Sequence, residues 1–258
     1  MIHFSHSLNF FKIISMKKFK LPFCLILLLF INQISFSQVK IDSSEITSSV
    51  PELTRFHEII YPIWHTAYPA KDINALKGYV PQIKASMDEI NSAVLPGILK
   101  DKEVLWKNQL QQLNAAADNY YKAAGGNDDE AMLAAAESLH HNFEMMNRVI
   151  RPVMKEMDDY HQILYIIYHK LYPDKKYDEI ATYMDSLVER ADAIRKYPQD
   201  KLKKRLGDNI SKFDPAANEL YNATVALKEV LKSNDTMKKS EAVQNMHTMY
   251  QNLEALFK

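Results

Sequence analysis

The sequence predicts an all-α protein made of two tandem up-down-up-down four-helix bundles related by internal duplication. Only five of the 258 residues are glycines, whereas β-proteins and α/β-folds with phosphate-binding loops use more of them. Apolar side chains recur at helical spacing between short breaks that contain proline or glycine. Two stretches of the chain also match each other at a separation of 104 residues, which indicates a duplicated unit.

The N-terminal residues are typical of a secretory signal peptide. From Met16, a short basic stretch precedes an apolar run over residues 21–31, which is followed by the small residues Ser35 and Ser37. That run is about 11 residues long, shorter than the roughly 20 that a membrane-spanning helix needs, and no later segment is uniformly apolar. We therefore predict a signal peptide over residues 1–37, with an overlong start before Met16. The mature chain would be exported to the periplasm or secreted, without a transmembrane segment.

Charge and cysteine content exclude several classes of function. Residues 38–258 carry 28 basic and 32 acidic side chains, a net charge of −4 that argues against nucleic acid as a partner. The single cysteine, Cys24, lies within the predicted signal peptide, so the mature chain would hold no disulfide, zinc-thiolate site, iron–sulfur cluster or cysteine nucleophile. The sequence also contains no GxSxG, P-loop or dinucleotide-binding motif.

The internal match is strongest in segments rich in histidine and aromatic residues. Residues 56–69 read FHEIIYPIWHTAYP, and residues 160–173 read YHQILYIIYHKLYP. Further along, residues 138–146 match residues 245–253 at a separation of 107. Six of the seven histidines of the mature chain thereby form three duplicated pairs, which are His57 with His161, His65 with His169, and His140 with His247.

Each copy divides into four predicted helices separated by proline, glycine or polar turns. In the first copy the predicted helices cover 52–68, 71–94, 98–124 and 129–150, with a kink at Gly78 and Pro81 and with Asp128 or Asp129 as the last N-cap. In the second copy they cover 154–172, 175–196, 200–231 and 236–257. A linker over residues 38–51 would lead into a first bundle over 52–151 and a second over 152–258.

The duplicated histidines are candidate metal ligands. Imidazoles and carboxylates that project into a bundle core bind transition metals, and copper, zinc or nickel would suit a nitrogen-rich site. Two histidines eight residues apart on one helix are separated by about 12 Å, so a single ion would instead join different helices. Antiparallel first and fourth helices would bring His65 near His140 and His57 near Glu144, and in the second copy His169 near His247. The predicted metal ligands are His57, His65, His140 and Glu144 in the first copy, and His161, His169 and His247 in the second.

Gln162 and Gln251 stand in the second copy where Glu58 and Glu144 stand in the first. The second copy would therefore offer fewer anionic ligands.

Other interpretations of these residues stay open. The histidines and tyrosines would satisfy one another by hydrogen bonds in a polar core layer, and the protein would then be a structural or protein-interaction module. A haem or another planar ligand is a further alternative. An enzyme would need an activated water on the metal, for which the two copies share few candidate acids, so no catalytic residue is assigned.

A longer pattern is similar to known sequences. FHEIIYPIWHTAYPAKD, followed by LPGILKDKEVLW, NDDEAMLAAAESLHHNFEMM and RPVMKEMDDYHQILYIIYHKLY, resembles a group of exported bacterial proteins of unassigned function. An F/Y-H-x7-H-x2-Y-P motif occurs in each copy. The resemblance covers most of the mature chain and implies export and helicity. It implies no activity and no functional residue.

Overall fold

The computed structural model describes residues 42–257, and in this range every regular element is helical, which confirms the predicted all-α class. The predicted signal peptide over 1–37 lies outside the described residues, as do residues 38–41 of the predicted linker. We use the term first half for residues 42–151 and second half for residues 152–257.

The described helices follow the predicted order. The first half contains α1 (Pro51–Pro62), α2 (Ile73–Gly78), α3 (Val80–Asn91), α4 (Glu103–Ala124) and α5 (Asp129–Ile150). The second half contains α6 (Lys155–Tyr165), α7 (Tyr177–Arg195), α8 (Lys203–Leu206), α9 (Ile210–Val230) and α10 (Thr236–Ala255). Short 3₁₀ segments cover Ser43–Ile46, Gly97–Lys102, Gln199–Lys201 and Gly207–Asn209. None of the helices among residues 42–257 has both the length and the apolar character to cross a bilayer.

Capping residues explain where several helices begin. Asp72, Asp128 and Asp235 stand at the N-caps of α2, α5 and α10, and each carboxylate accepts a hydrogen bond from a backbone N–H of the first turn. Asp128 is thus the N-cap of α5. The predicted kink in the second helix is a break, because α2 ends at Gly78 and α3 starts at Val80.

Neighbouring helices pack along their apolar faces. In the first half α4 packs on α5, and α3 packs on both α1 and α4. In the second half α9 packs on α10 and α7, and α7 packs on α6. Phe56, Leu113 and Phe143 lie in the buried core of the first half. Tyr165 of α6 joins that same buried cluster, so the two halves share packed side chains.

A π-helical turn follows the first helix of each half. These turns cover Ile63–Ala67 and Ile166–Leu171, and the backbone N–H groups of Tyr68 and Tyr172 close them by donating to carbonyls five residues earlier, each at 2.8 Å. Turns of this kind occur often at functional sites. They hold His65 and His169, whose side chains are therefore rotated from the positions that a continuous α-helix would give them.

Candidate metal centre

Asp101, His169 and His247 converge from three separate elements. Asp101 lies in the 3₁₀ segment Gly97–Lys102, His169 in the π-helical turn after α6, and His247 in α10. The Oδ2 atom of Asp101 lies 3.3 Å from Nε2 of His247 and 3.6 Å from Nε2 of His169. The potential ligand atoms of all three lie within 4.8 Å of one another, and among residues 42–257 no other set of three His, Cys, Asp or Glu side chains meets this distance.

Two anchors place Asp101 against the second half. Ile98 and Leu99 of the same 3₁₀ segment are buried. On the other side, the Lys102 ammonium pairs with the Glu254 carboxylate of α10 at 3.2 Å, and both side chains are largely shielded from water. Because the backbone is fixed on both sides of residue 101, its carboxylate is held toward the two imidazoles.

Tyr168 orients both histidines. Its ring stacks on His247 at a centroid distance of 3.7 Å with an interplanar angle of 5°, and it meets the ring of His169 edge-on at 5.2 Å. The two imidazoles are consequently almost perpendicular, at 88°, with centroids 6.3 Å apart. Since His247 is also buried, its ring has little freedom to rotate away from Asp101.

The carboxylate of Asp101 is stabilised in its ionised form. Hydrogen bonds from His169, and then from His247, hold the pKa of Asp101 far below its usual range, although partial burial opposes this shift. A carboxylate that stays ionised is ready to bind a cation. Nε2 of each imidazole must carry no hydrogen when it ligates a metal, and a neutral ring meets this condition by holding its hydrogen on Nδ1.

The distances suit a small transition-metal ion. Two ligand atoms that are each about 2.1 Å from a tetrahedral ion lie about 3.4 Å apart. The separations of 3.3 and 3.6 Å between Asp101 and the two imidazoles are close to that value. Two nitrogens and one oxygen form a donor set used for zinc, copper and nickel, and also for Fe(II). Three protein ligands would leave a fourth position for water or another small ligand.

His169 and His247 were predicted to lie close together as ligands of one ion, and the structure brings them together. Asp101 was not among the ligands predicted from the sequence, because its carboxylate comes from the other half of the chain. Asp101 lies four residues after Gly97, between Lys100 and Lys102, and nothing in its spacing distinguishes it from nearby Glu103. The expected shortage of anionic ligands in the second half is thus offset by one acid from the first.

The predicted ligands of the first half lie elsewhere. The His140 ring stacks on Trp64 at 4.0 Å, the His65 ring lies 4.4 Å from that of Tyr61, and the His57 ring stacks on Phe143 at 5.6 Å. Burial lowers the pKa of His140, and Glu144 counteracts this effect. His57, His65, His140 and Glu144 do not belong to the three-ligand group.

His161 is a core residue next to the site. Its ring stacks on Tyr250 at 4.8 Å, and burial lowers its pKa to about 4. The imidazole is therefore neutral near pH 7. It does not belong to the three-ligand group either.

No protein-family model matches this chain, and no curated protein or solved structure is significantly similar to it. The functional conclusion therefore rests on the geometry of the site.

Proposed function

We propose that this protein is an exported helical metal-binding protein whose ion is held by Asp101, His169 and His247. The single observation behind this proposal is the convergence of one carboxylate oxygen and two imidazole nitrogens within 4.8 Å of one another. The separations of Asp101 from the two imidazoles and the mixed nitrogen and oxygen donors favour zinc, with copper or nickel as competitors. The signal-like residues 1–37 support export to the periplasm or the cell exterior.

We also propose that the two halves are duplicated four-helix bundles. Beyond the sequence match, the π-helical turns are 103 to 104 residues apart, and Lys71 and Lys175 both adopt a left-handed backbone conformation just after them, with φ of 51° and 54°. Such a conformation is uncommon for lysine. Its occurrence at two positions 104 residues apart supports a common origin of the two halves.

The test is zinc binding by the mature chain, residues 38–258, after removal of metal with a chelator. Calorimetric titration should show one zinc ion per chain, and zinc should raise the Tm because it binds the folded state. Asp101→Asn and His169→Ala should abolish this binding. His247→Phe should do the same while it retains a ring to stack on Tyr168.

The matched controls are His65→Ala and His140→Ala at the corresponding positions of the first half. These variants should still bind one zinc ion at the affinity of the unmodified protein. Zinc binding that survives in the His169→Ala/His247→Phe double variant would show that the assignment is wrong. Zinc is preferred to copper as the probe because copper, which binds nitrogen ligands more tightly, would also occupy exposed histidines such as His57.

A structural role is the second candidate. The His247 imidazole lies within hydrogen-bond distance of Asp101 without any ion, at 3.3 Å, and this contact joins the two halves. A purely structural contact predicts that Asp101→Asn destabilises the protein equally with and without zinc. A metal site predicts that the loss is larger when zinc is present.

A further inference from the structure

The first half exposes an aromatic face that has a covered counterpart in the second half. Four pairs of ring contacts recur in the two halves. In the first half the contacts are Trp64–His140, Tyr61–His65, His57–Phe143 and Trp64–Tyr68. Their counterparts in the second half, in the same order, are Tyr168–His247, Tyr165–His169, His161–Tyr250 and Tyr168–Tyr172. We call Tyr61, Trp64, His65 and His140 the first-half face, and the residues Tyr165, Tyr168, His169 and His247 the second-half face.

The two faces differ in what covers them. Tyr165 is only 4% exposed, whereas its counterpart Tyr61 is 54% exposed. His57 and His65 are exposed, while His161 is buried and His169 is partly covered. The cover on the second-half face consists of Gly97–Lys102 and Ser43–Ile46. Within residues 42–257 nothing covers Tyr61 in the same way.

The segments over the second-half face present acids to it. Asp101 faces the two imidazoles, and Glu45 accepts a hydrogen bond from the Tyr165 hydroxyl at 2.9 Å. The helices that carry this face have neutral amides beside it. Gln244 donates a hydrogen bond to the Tyr172 hydroxyl at 2.9 Å, and Gln162 and Gln251 lie on α6 and α10. The two acids of this cover therefore face histidine and tyrosine side chains, while Lys102 of the same cover pairs with Glu254.

The first-half face carries acids where the second has amides. Glu58, Glu137 and Glu144 correspond to Gln162, Gln244 and Gln251. The Tyr68 hydroxyl donates to Glu137 at 3.4 Å, in the position of the contact between Tyr172 and Gln244. The charge of Glu144 acts on His140 of the face itself. Carboxylates placed as Asp101 and Glu45 are placed on the second half would be repelled here.

We propose that the first-half face binds a basic segment, rich in Lys or Arg, of another protein chain. Carboxylates beside an exposed tyrosine ring are suited to cationic side chains, which gain both ion pairs and a cation–π contact. Tyr61 supplies the exposed ring, half-buried Trp64 lies beside it in a stack with His140 and Tyr68, and Glu58, Glu137 and Glu144 supply the negative charge. The segment occupies the place that Gly97–Lys102 occupies on the second half. This inference is independent of the metal site.

The test uses two synthetic peptides copied from the covering segment. One has the sequence of residues 95–104, LPGILKDKEV, and the other carries Asp101→Lys. NMR titration of the mature chain should show that the basic peptide shifts the Trp64 indole resonance but not that of Trp106. The unaltered peptide should bind at least about tenfold more weakly, and binding of the basic peptide should weaken as salt is added.

The decisive variant is Glu58→Gln/Glu137→Gln/Glu144→Gln, which gives the first-half face the amides of the second. It should weaken binding of the basic peptide about tenfold or more. The matched control, Glu189→Gln/Glu219→Gln/Glu241→Gln, removes the same charge from exposed positions of the second half and should leave binding unchanged. Equal losses in both variants would show nonspecific attraction to an acidic protein. That result, or no binding of the basic peptide to the unmodified protein, would overturn the proposal.

Discussion

Gly97 leaves the space that the hydroxyl group of Tyr165 occupies. A Cβ atom at position 97 would lie 1.9 Å from that oxygen and 2.5 Å from the ring carbon that bears it. Both distances are far shorter than any van der Waals contact. Because Gly97 opens the 3₁₀ segment that carries Asp101, this close approach lets the carboxylate reach His169 and His247.

We predict that Gly97→Ala weakens zinc binding as well as stability. The methyl group would push the 3₁₀ segment away from Tyr165 and move Asp101 from the imidazoles, with a cost of about 1–3 kcal/mol for the overpacked contact. Chemical denaturation and zinc titration would measure the two effects. Gly78→Ala is the control, since a Cβ there meets nothing within 4 Å and alanine favours the helical backbone. A Gly97→Ala protein with unchanged zinc affinity would contradict this account of the segment.

The ion pair between Lys102 and Glu254 should contribute to the contact between the halves. Its two side chains are 11% and 12% exposed. Lys102→Met would leave the shielded carboxylate without this cation, at a cost of about 3–5 kcal/mol in the free energy of unfolding. The Lys102→Met/Glu254→Leu double variant should recover most of this loss. Lys107→Met, which breaks an exposed pair with Glu103, should cost less than about 1 kcal/mol. Similar losses in the two single variants would contradict the prediction.

His161 should make the protein sensitive to acid. Its pKa falls from 6.5 in the unfolded chain to about 4 in the folded protein, mainly because of burial, while Glu254 and Asp101 oppose the effect of Lys102 and His169. The folded state therefore excludes a proton that the unfolded state binds. The contribution of His161 to the free energy of unfolding is fully present above pH 6.5. It is lost as the pH falls toward 4, and the loss is on the order of 3 kcal/mol.

Denaturation at pH 7 and pH 4.5 would test this prediction. His161→Phe keeps a ring to stack on Tyr250 and should remove this share of the pH dependence. His57→Phe, at the exposed counterpart, should retain the pH dependence of the unmodified protein. If His161→Phe loses as much stability on acidification as the unmodified protein does, another group is responsible.

A buried hydrogen bond between Tyr160 and Thr224 should show strong coupling. Their hydroxyl oxygens lie 2.8 Å apart, and both side chains are fully buried. Thr224→Val would leave the Tyr160 hydroxyl without this partner and should cost about 1–3 kcal/mol, whereas the Tyr160→Phe/Thr224→Val double variant should cost less than the sum of the single variants. Phe56 stands at the position of Tyr160 in the first half and has no hydroxyl group, so no such pair exists there. Additive losses in denaturation experiments would show that the two hydroxyls are not coupled.

Much of the helical structure was predictable from local features. Asp128 caps α5, and the break at Gly78 falls where glycine and proline interrupt the pattern, because caps and breaks depend on residues within one turn. The π-helical turns were not predicted, and proline does not explain both of them, since Pro62 in α1 corresponds to Ile166 in the second half. The pairing of His169 with His247 followed from the expected antiparallel helices, but Asp101 did not.

By itself, the sequence determined the helical class, the order of the main helices and the positions of the duplicated histidines, whereas the helix predicted over 200–231 is a continuous α-helix only from Ile210. These properties depend on spacing along the chain, and helical periodicity records that spacing directly. Only the tertiary structure decided that one aromatic face is covered and the other exposed, and that Asp101 of the first half completes a site in the second. Such contacts depend on how segments about 70 and 150 residues apart fold against each other, through the packing of Gly97 under Tyr165 and of Lys102 on Glu254.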